Sequence, residues 1–175
     1  MGLLHELVPK AALIAFLVNP NNPNIETQSS EVRGAAQSIG LRVEVLQART
    51  ETEIVAAFAA LAERGAGAFI LGPDPFFFNQ RQQLVTLAAR YAVPAIYEVR
   101  EFVEAGGLVN YGANLTEALR QVGSYAGKVL DGVKPADLPV VQPTRFELVI
   151  NLKTAKALGL TVSPIVLAQA DEVIE

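Results

Sequence analysis

The stretch from Leu13 to Asn24 reads LIAFLVNPNNPN and joins a continuous apolar run to a cluster of asparagines and prolines. An unbroken apolar run of this length predicts a strand that is buried on both faces, as in a parallel sheet. Asparagine and proline favour turns, so the second half of the stretch predicts a loop directly after that strand. The stretch therefore predicts the first strand of an α/β domain, with a polar loop at its carboxyl end.

The alternation of apolar strands and amphipathic helices continues from this stretch to residue 112. We predict further strands at 41–46, 68–71, 94–97 and 108–111, helices at 26–39, 50–64 and 76–91, and a helical turn at 100–104. This order produces right-handed crossovers and a parallel sheet that is covered on both faces. The predicted fold class is α/β with a doubly wound parallel sheet. The alternating polarity at 41–46 predicts that this strand lies at the edge of the sheet.

The residues after 113 have a different character. Asn114 is a candidate N-cap for a helix over 115–130, and a proline-punctuated extended segment follows this helix. A short strand at 146–152 and two short helical segments complete the chain. We predict an α/β lobe over residues 1–113 and a C-terminal helix and tail over residues 114–175.

Composition excludes several classes of protein. The chain has 175 residues, of which 51% are hydrophobic and 18% charged, so it is too apolar to be intrinsically disordered. It has no cysteine and one histidine, which excludes a disulfide scaffold and argues against structural zinc. The net charge is −4 with no basic stripe, which argues against nucleic-acid binding. The longest apolar run, residues 11–18, is too short to span a membrane, which needs roughly 20 residues.

Candidate ligand contacts lie in the loops after the strands, because doubly wound sheets bind ligands outside the carboxyl ends of their strands. Asn19, Asn22 and Asn24 follow the first strand, and their amides suit a carboxylate or a zwitterion. A tight turn alone would use the same residues. Asp74 follows the third strand between two prolines, where it could face an ammonium group or cap the next helix.

Three further candidates lie after the third strand, after the fourth strand and at the end of the fifth strand. Phe76 could stack on a ligand or join the core. Arg100 could pair with a ligand carboxylate, or it could bridge to Glu101 or Glu104 on the surface. Tyr111 ends the predicted fifth strand.

The sequence lacks the usual motifs of small α/β enzymes. The loop after the first strand is not the glycine-rich loop that binds dinucleotides, and there is no phosphate-binding loop ending in Gly-Lys-Ser or Gly-Lys-Thr. No Gly-x-Ser-x-Gly elbow is present either. We therefore predict a binding protein that has no catalytic residue, cofactor or metal.

Several stretches together resemble one known family. The most specific are Glu-Ala-Gly-Gly-Leu at 104–108 and Val-Ile-Asn-Leu-Lys-Thr-Ala at 149–155. Others lie at 3–10, 17–24, 73–78, 100–103, 111–112, 134–139 and 146–148. The chain resembles the ABC-transporter substrate-binding proteins, a family that includes tryptophan- and phenylalanine-binding members. The resemblance runs over essentially the whole chain but covers only the C-terminal half of the family's two-lobed proteins.

This resemblance implies a lobe like those of type I periplasmic binding proteins. It implies a solute-binding component of an ABC-type importer, with a permease as partner and a small amphipathic ligand such as an amino acid. It places Asn19, Asn22, Asn24, Asp74, Arg100 and Tyr111 in the ligand cleft. It also implies a periplasmic location. The chain shows no signal-peptide pattern, so we expect a cytoplasmic protein if Met1 is the natural start.

The resemblance also implies a role for the helix at 115–130, which would pack on or cross back to a first lobe that this chain lacks. The apolar stripe of this helix would otherwise be uncovered, and uncovered apolar surface favours association. We expect the chain to form a homo-oligomer, such as a dimer, through residues 115–130.

Two alternative functions remain open. One is the ligand-sensing core of a regulator, although no helix-turn-helix is visible. The other is a small α/β enzyme that uses Asp74 and Arg100, although the sequence offers no nucleophile paired with a base.

Overall fold

The computed structural model describes residues 1–143 and 145–175, and within them seven strands form one sheet in the order β2-β1-β3-β4-β5-β6-β7. The strands are β1 (Leu13–Val18), β2 (Arg42–Gln47), β3 (Ala68–Leu71), β4 (Ala95–Tyr97), β5 (Val109–Ala113), β6 (Phe146–Asn151) and β7 (Glu172–Ile174). The helices are α1 (Gly2–Leu7), α2 (Ile25–Gln37), α3 (Glu51–Glu63), α4 (Pro75–Asn79), α5 (Arg81–Arg90), α6 (Arg100–Glu104), α7 (Leu115–Leu130), α8 (Leu152–Ala157) and α9 (Pro164–Gln169), with a 3-10 turn at Pro135–Asp137.

The first five strands are parallel and have the doubly wound order 2-1-3-4-5, which confirms the predicted fold class. The direction of winding reverses at β1, because β2 lies on one side of it and β3 on the other. Strand β2 is an edge strand, as its alternating pattern predicts. A crevice for a ligand is expected at the carboxyl ends of β1 and β3, where the order reverses.

Two apolar cores cover the two faces of the sheet. On one face, α3, α4, α5 and α6 bury an aromatic cluster in which Phe58 meets Phe69 edge-on, with ring centroids 5.2 Å apart. On the other face, α1, α8 and α9 pack on β1 and β6, and the fully buried side chains include Leu4, Ile14 and Ile150. Large buried aliphatic and aromatic side chains dominate the stability of such a lobe, at roughly 1.5–3 kcal/mol each.

The single helix predicted at 76–91 is wrong. The structure has two helices, α4 and α5, which are separated at Gln80. The break lets each helix bury its own residues, Phe77 from α4 and Leu84 from α5. The sequence gives no signal of the break at Gln80, which therefore could not be predicted from periodicity.

The tail differs from the expected accessory segment, because β6 and β7 continue the sheet of the lobe. Strand β6 pairs antiparallel with β5, and β7 pairs parallel with β6. Helices α8 and α9 belong to the second core. Residues 146–174 are therefore part of the lobe, whereas the packing of residues 114–143 on a first lobe stays a prediction. Helix α1 and strand β7 were not predicted, since six and three residues are too few for a periodic pattern.

Helix α7 lies apart from both cores. It begins at the predicted cap, where Asn114 Oδ1 accepts a hydrogen bond from the Glu117 N–H at 2.7 Å. None of its residues is buried, and Leu119 and Val122 are 62% and 64% exposed. None of the helices in the described part of the chain is long and apolar enough to cross a membrane.

Candidate functional site

Two loops meet at the carboxyl ends of β1 and β3, where the winding of the sheet reverses. Asn19 donates from Nδ2 to Asp74 Oδ1 at 3.0 Å, and Asn22 donates from Nδ2 to Asp74 Oδ2 at 3.0 Å. Asn22 also donates to the Pro73 carbonyl at 2.9 Å. Three of the residues predicted from the sequence as ligand contacts therefore lie in direct contact with one another.

Asp74 also caps helix α4, as the alternative interpretation of this residue predicts. Its Oδ1 accepts a hydrogen bond from the backbone N–H of Phe76 at 2.9 Å. The carboxylate thus receives three donors, and hydrogen bonds to a charged acceptor are stronger than neutral ones. This network fixes the orientation of the Asp74 carboxylate before any ligand arrives.

The asparagine loop is shaped by its own side chains. Asn19 Oδ1 accepts from the Asn21 N–H at 3.0 Å, and Asn22 Oδ1 accepts from the Asn24 N–H at 2.9 Å. These are the local turns that asparagine favours. Each amide nitrogen carries two hydrogens, and both hydrogens of Asn22 are used. Among the contacts of the described residues, Asn19 Nδ2 has one hydrogen left for a ligand.

A groove of about 390 Å³ opens beside this network, between the carboxyl ends of β3 to β5 and helix α2. Ile70 and Ile96 contribute its apolar floor, and Glu98 and Tyr111 lie at its polar end with Pro73. Burial raises the pKa of the Glu98 carboxyl, and the nearby negative charge of Asp74 raises that pKa further. Glu98 is not among the site residues predicted from the sequence. Its position directly after β4 is the signal that could have identified it.

Gly112 allows the backbone of Glu98 to come close to β5. A Cβ atom at Gly112 would collide with the carbonyl oxygen of Glu98. The close approach explains why this position needs glycine. Backbone conformation does not explain it, because Gly112 does not have a positive φ.

Tyr111 lies at the rim of the groove and is 55% exposed. Its ring stacks on Phe146, with centroids 5.8 Å apart and an interplanar angle of 18°. Two stacked and half-exposed aromatic rings at the mouth of a groove offer an apolar platform for a ligand or a neighbouring surface.

Arg100 lies away from the Asn–Asp network. Its guanidinium pairs with Glu104 at 2.8 Å and Glu172 at 2.6 Å, and it lies 3.9 Å from Glu147. The bridge to Glu104 is one that the sequence suggested. Carboxylates from α6, β6 and β7 therefore already surround the guanidinium that was considered as a partner for a ligand carboxylate.

The remaining two candidates lie at the margin of the network. Asn24 is exposed, and only its backbone N–H contacts another loop residue. Phe76 is half-buried, packs against the first core and has its ring 5.5 Å from that of Phe77. The network itself is therefore formed by Asn19, Asn22 and Asp74.

A doubly wound lobe with an ordered carboxylate at its switch point, and with a groove beside it, defines a class of small-molecule-binding lobes. The comparison with known proteins narrows the class. The chain belongs to the ABC transporter substrate binding protein family, whose model matches residues 1–174. This family consists of binding proteins rather than enzymes.

Similar proteins from several bacteria agree with this assignment. A tyrosine-binding protein of Clostridioides difficile (strain R20291) is 24% identical over 160 residues, which cover 91% of this chain and 46% of that protein. A crystal structure of an ABC domain in complex with L-Trp from Streptococcus pneumonia has a TM-score of 0.90 and 28% identity, and the match covers 99% of this chain and 58% of that one. A conserved domain protein from Vibrio cholerae has the same fold, with a TM-score of 0.89, 23% identity and coverage of 98% and 58%. The chain thus spans about half the length of these relatives.

Proposed function

We propose that this chain is the C-terminal lobe of a solute-binding component of an ABC-type importer, and that it binds an amphipathic solute with an ammonium group. The observation that carries this proposal is the Asp74 carboxylate, which is held by three donors at the switch point of the sheet. An amino acid with an aromatic side chain fits this description.

The charge of the site favours an ammonium group over a carboxylate. Glu31 and Glu98 line the groove together with the N-terminal Met1, and the charge of Asp74 raises the pKa of Glu98, whereas no lysine or arginine side chain is among the described residues that line it. Arg100 is already paired with carboxylates of its own chain. The apolar floor suits a hydrocarbon or aromatic body. The related proteins named above, one of which binds tyrosine and another L-Trp, are consistent with a ligand of this type.

A second lobe would complete the cleft. Since the chain spans about half the length of its relatives, we propose that a first lobe closes over the ligand, and that residues 114–143 reach towards that lobe. One lobe alone offers only part of the contacts, so its affinity is expected to be weaker than that of a closed pair. The implied partner is a permease, and the implied location is periplasmic or extracellular, as is typical of the family.

Three matched ligands test the proposed function. L-tyrosine, tyramine and 3-(4-hydroxyphenyl)propionate share one ring, but the last of these lacks an ammonium group. We expect the first two to bind in a calorimetric titration and the propionate to bind at least tenfold more weakly. Glu98→Gln should weaken tyramine binding by roughly tenfold or more, because it removes a charged acceptor. Tyramine binding should also weaken as the pH falls through the raised pKa of Glu98, because protonation removes its charge.

The exposed Glu63 at the end of α3 provides the control, since Glu63→Gln should leave tyramine binding unchanged. Binding of the propionate as tightly as tyramine would refute the preference for an ammonium group. Failure of the chain to bind any aromatic or aliphatic amino acid or amine would count against the proposed function itself.

For the 175-residue chain on its own, we propose that a second copy covers α7. Leu115, Leu119, Val122, Ala126 and Val129 follow one another at alternating spacings of four and three, the pattern of a seam between two helices. We expect a dimer by light scattering at tens of micromolar. Val122→Arg should give a monomer that is still folded, because Val122 is exposed in the single chain and belongs to neither core. Ser124→Arg, on the polar side of α7, should remain dimeric. A monomeric parent chain would contradict the proposal.

A further inference from the structure

A second cavity lies on the far side of the lobe from the Asn–Asp network. It has a volume of about 160 Å³ and lies between α5 and α8, at the amino ends of β4 and β5. Its walls are mostly apolar and include Val85, Ala88, Val93 and Leu108. It reaches the surface between Ala89 and Ala157, two exposed residues that also line it. Nothing in the proposed function uses this cavity.

A buried phenol belongs to the lining of this cavity. Tyr97 is 1% exposed, and its hydroxyl has no hydrogen-bond partner among the described residues. The ring is fixed from two sides, because it stacks on Phe102 at 4.7 Å and meets Phe69 edge-on at 6.0 Å. Native proteins rarely leave a buried hydroxyl unpaired, because its lost hydration is not replaced. Phenylalanine would fill the same space without this penalty.

Gly107 brings the Tyr97 ring to the wall of the cavity, and its neighbour Gly106 shapes the backbone there. A Cβ at Gly107 would come within 2.6 Å of Tyr97 Cε2, so the edge of the ring lies against bare backbone. Gly106 has φ +107, a conformation that other residues rarely adopt. Its carbonyl accepts a hydrogen bond from Thr154 Oγ1 at 2.8 Å, which ties α8 to this wall. The cavity is therefore bounded by fixed elements.

We propose that this cavity is a second binding site, for a small uncharged ring-sized molecule that carries one hydrogen-bond acceptor, and that the Tyr97 hydroxyl donates to that acceptor. Burial raises the pKa of the Tyr97 hydroxyl well above its usual range, so the group stays a neutral donor. Lys153 is the charged residue among the lining and is exposed on the surface, so the interior suits an uncharged body. Tyr97 also lines the groove at the carboxyl ends of the strands, so it is a residue that the two sites share.

Two probes of the same shape test this site. Cyclohexanone has a ring and a carbonyl acceptor, whereas methylenecyclohexane has the ring alone. In an NMR titration of the intact chain, we expect cyclohexanone to shift the amide signals of Gly106, Gly107 and Thr154. Tyr97→Phe should weaken cyclohexanone binding by roughly five- to tenfold, since one hydrogen bond is lost. The same variant should leave the weaker binding of methylenecyclohexane unchanged.

Two further variants separate binding from folding. Ala157→Phe should block the mouth of the cavity and abolish binding of both probes, whereas Ala62→Phe on the exposed side of α3 should not. Tyr97→Phe should melt at or above the temperature of the parent chain, because the hydroxyl it removes has no partner. The proposal is overturned if Tyr97→Phe binds cyclohexanone as tightly as the parent chain. It is equally overturned if the parent chain shows no shifts, or shifts only at other residues.

Discussion

Gly112→Ala is expected to lower the free energy of unfolding by roughly 3 kcal/mol and to abolish tyramine binding. The added Cβ would collide with the carbonyl oxygen of Glu98, a backbone atom that cannot rotate away. Strand β5 cannot simply move aside, because Gly112 is paired with Glu147 of β6 on its other side. The clash should therefore displace both strand β5 and the Glu98 carboxyl. Urea denaturation and a calorimetric titration would measure the two effects.

Gly123→Ala in α7 provides the matched control. A Cβ at Gly123 meets no atom within 4 Å, and the residue lies inside a helix. Alanine is favoured over glycine in a helix by about 1 kcal/mol, so this variant should be slightly more stable than the parent chain. A Gly112→Ala variant as stable as the parent chain would show that the close approach of Gly112 to the Glu98 carbonyl does not constrain this site.

Asp74→Ala should have the second largest effect. It removes the acceptor for two asparagine amides and for the first turn of α4, and it leaves the buried Asn19 amide without its partner. The loss of a helix cap and of a buried hydrogen bond together should reduce the free energy of unfolding by about 2–3 kcal/mol. Binding of an ammonium ligand should be lost as well. Urea denaturation and the tyramine titration would again measure both quantities.

Asp74→Asn separates the charge of this residue from its structural role. Asparagine is also a good N-cap, so this variant should keep much of the stability and still lose most of the affinity for tyramine. Asp131→Ala, at the exposed end of α7, should change neither property. Unchanged stability in Asp74→Ala would show that the asparagine network does not hold the two loops together.

The sequence predicts the framework of the lobe well, because its signals are local. The apolar run at Leu13–Val18, the turn residues after it and the cap at Asn114 each act within a few residues. Placing the asparagine loop and Asp74 together needs only the rule that parallel strands end at one edge of the sheet. The contact between them across 55 residues follows from that topology.

The features that the sequence did not reveal depend on contacts between distant segments. Arg100 is drawn to Glu172, 72 residues away, by the pairing of β6 with β7, and no local pattern announces that pairing. Strand β7 has three residues and forms only because β6 provides a neighbour. The pKa of Glu98 is raised by burial and by the nearby charge of Asp74, and both effects arise only in the folded chain.

The pairing of β5 with β6 has a mechanical consequence for α7. The chain leaves the sheet at Ala113 and returns at Phe146, and these two residues are paired opposite each other. The exit and the return are therefore adjacent, and Asn114 also donates a hydrogen bond to Glu147 across them. The segment that contains α7 is therefore attached to the sheet at a single place, and the register of the seven strands does not depend on what covers α7.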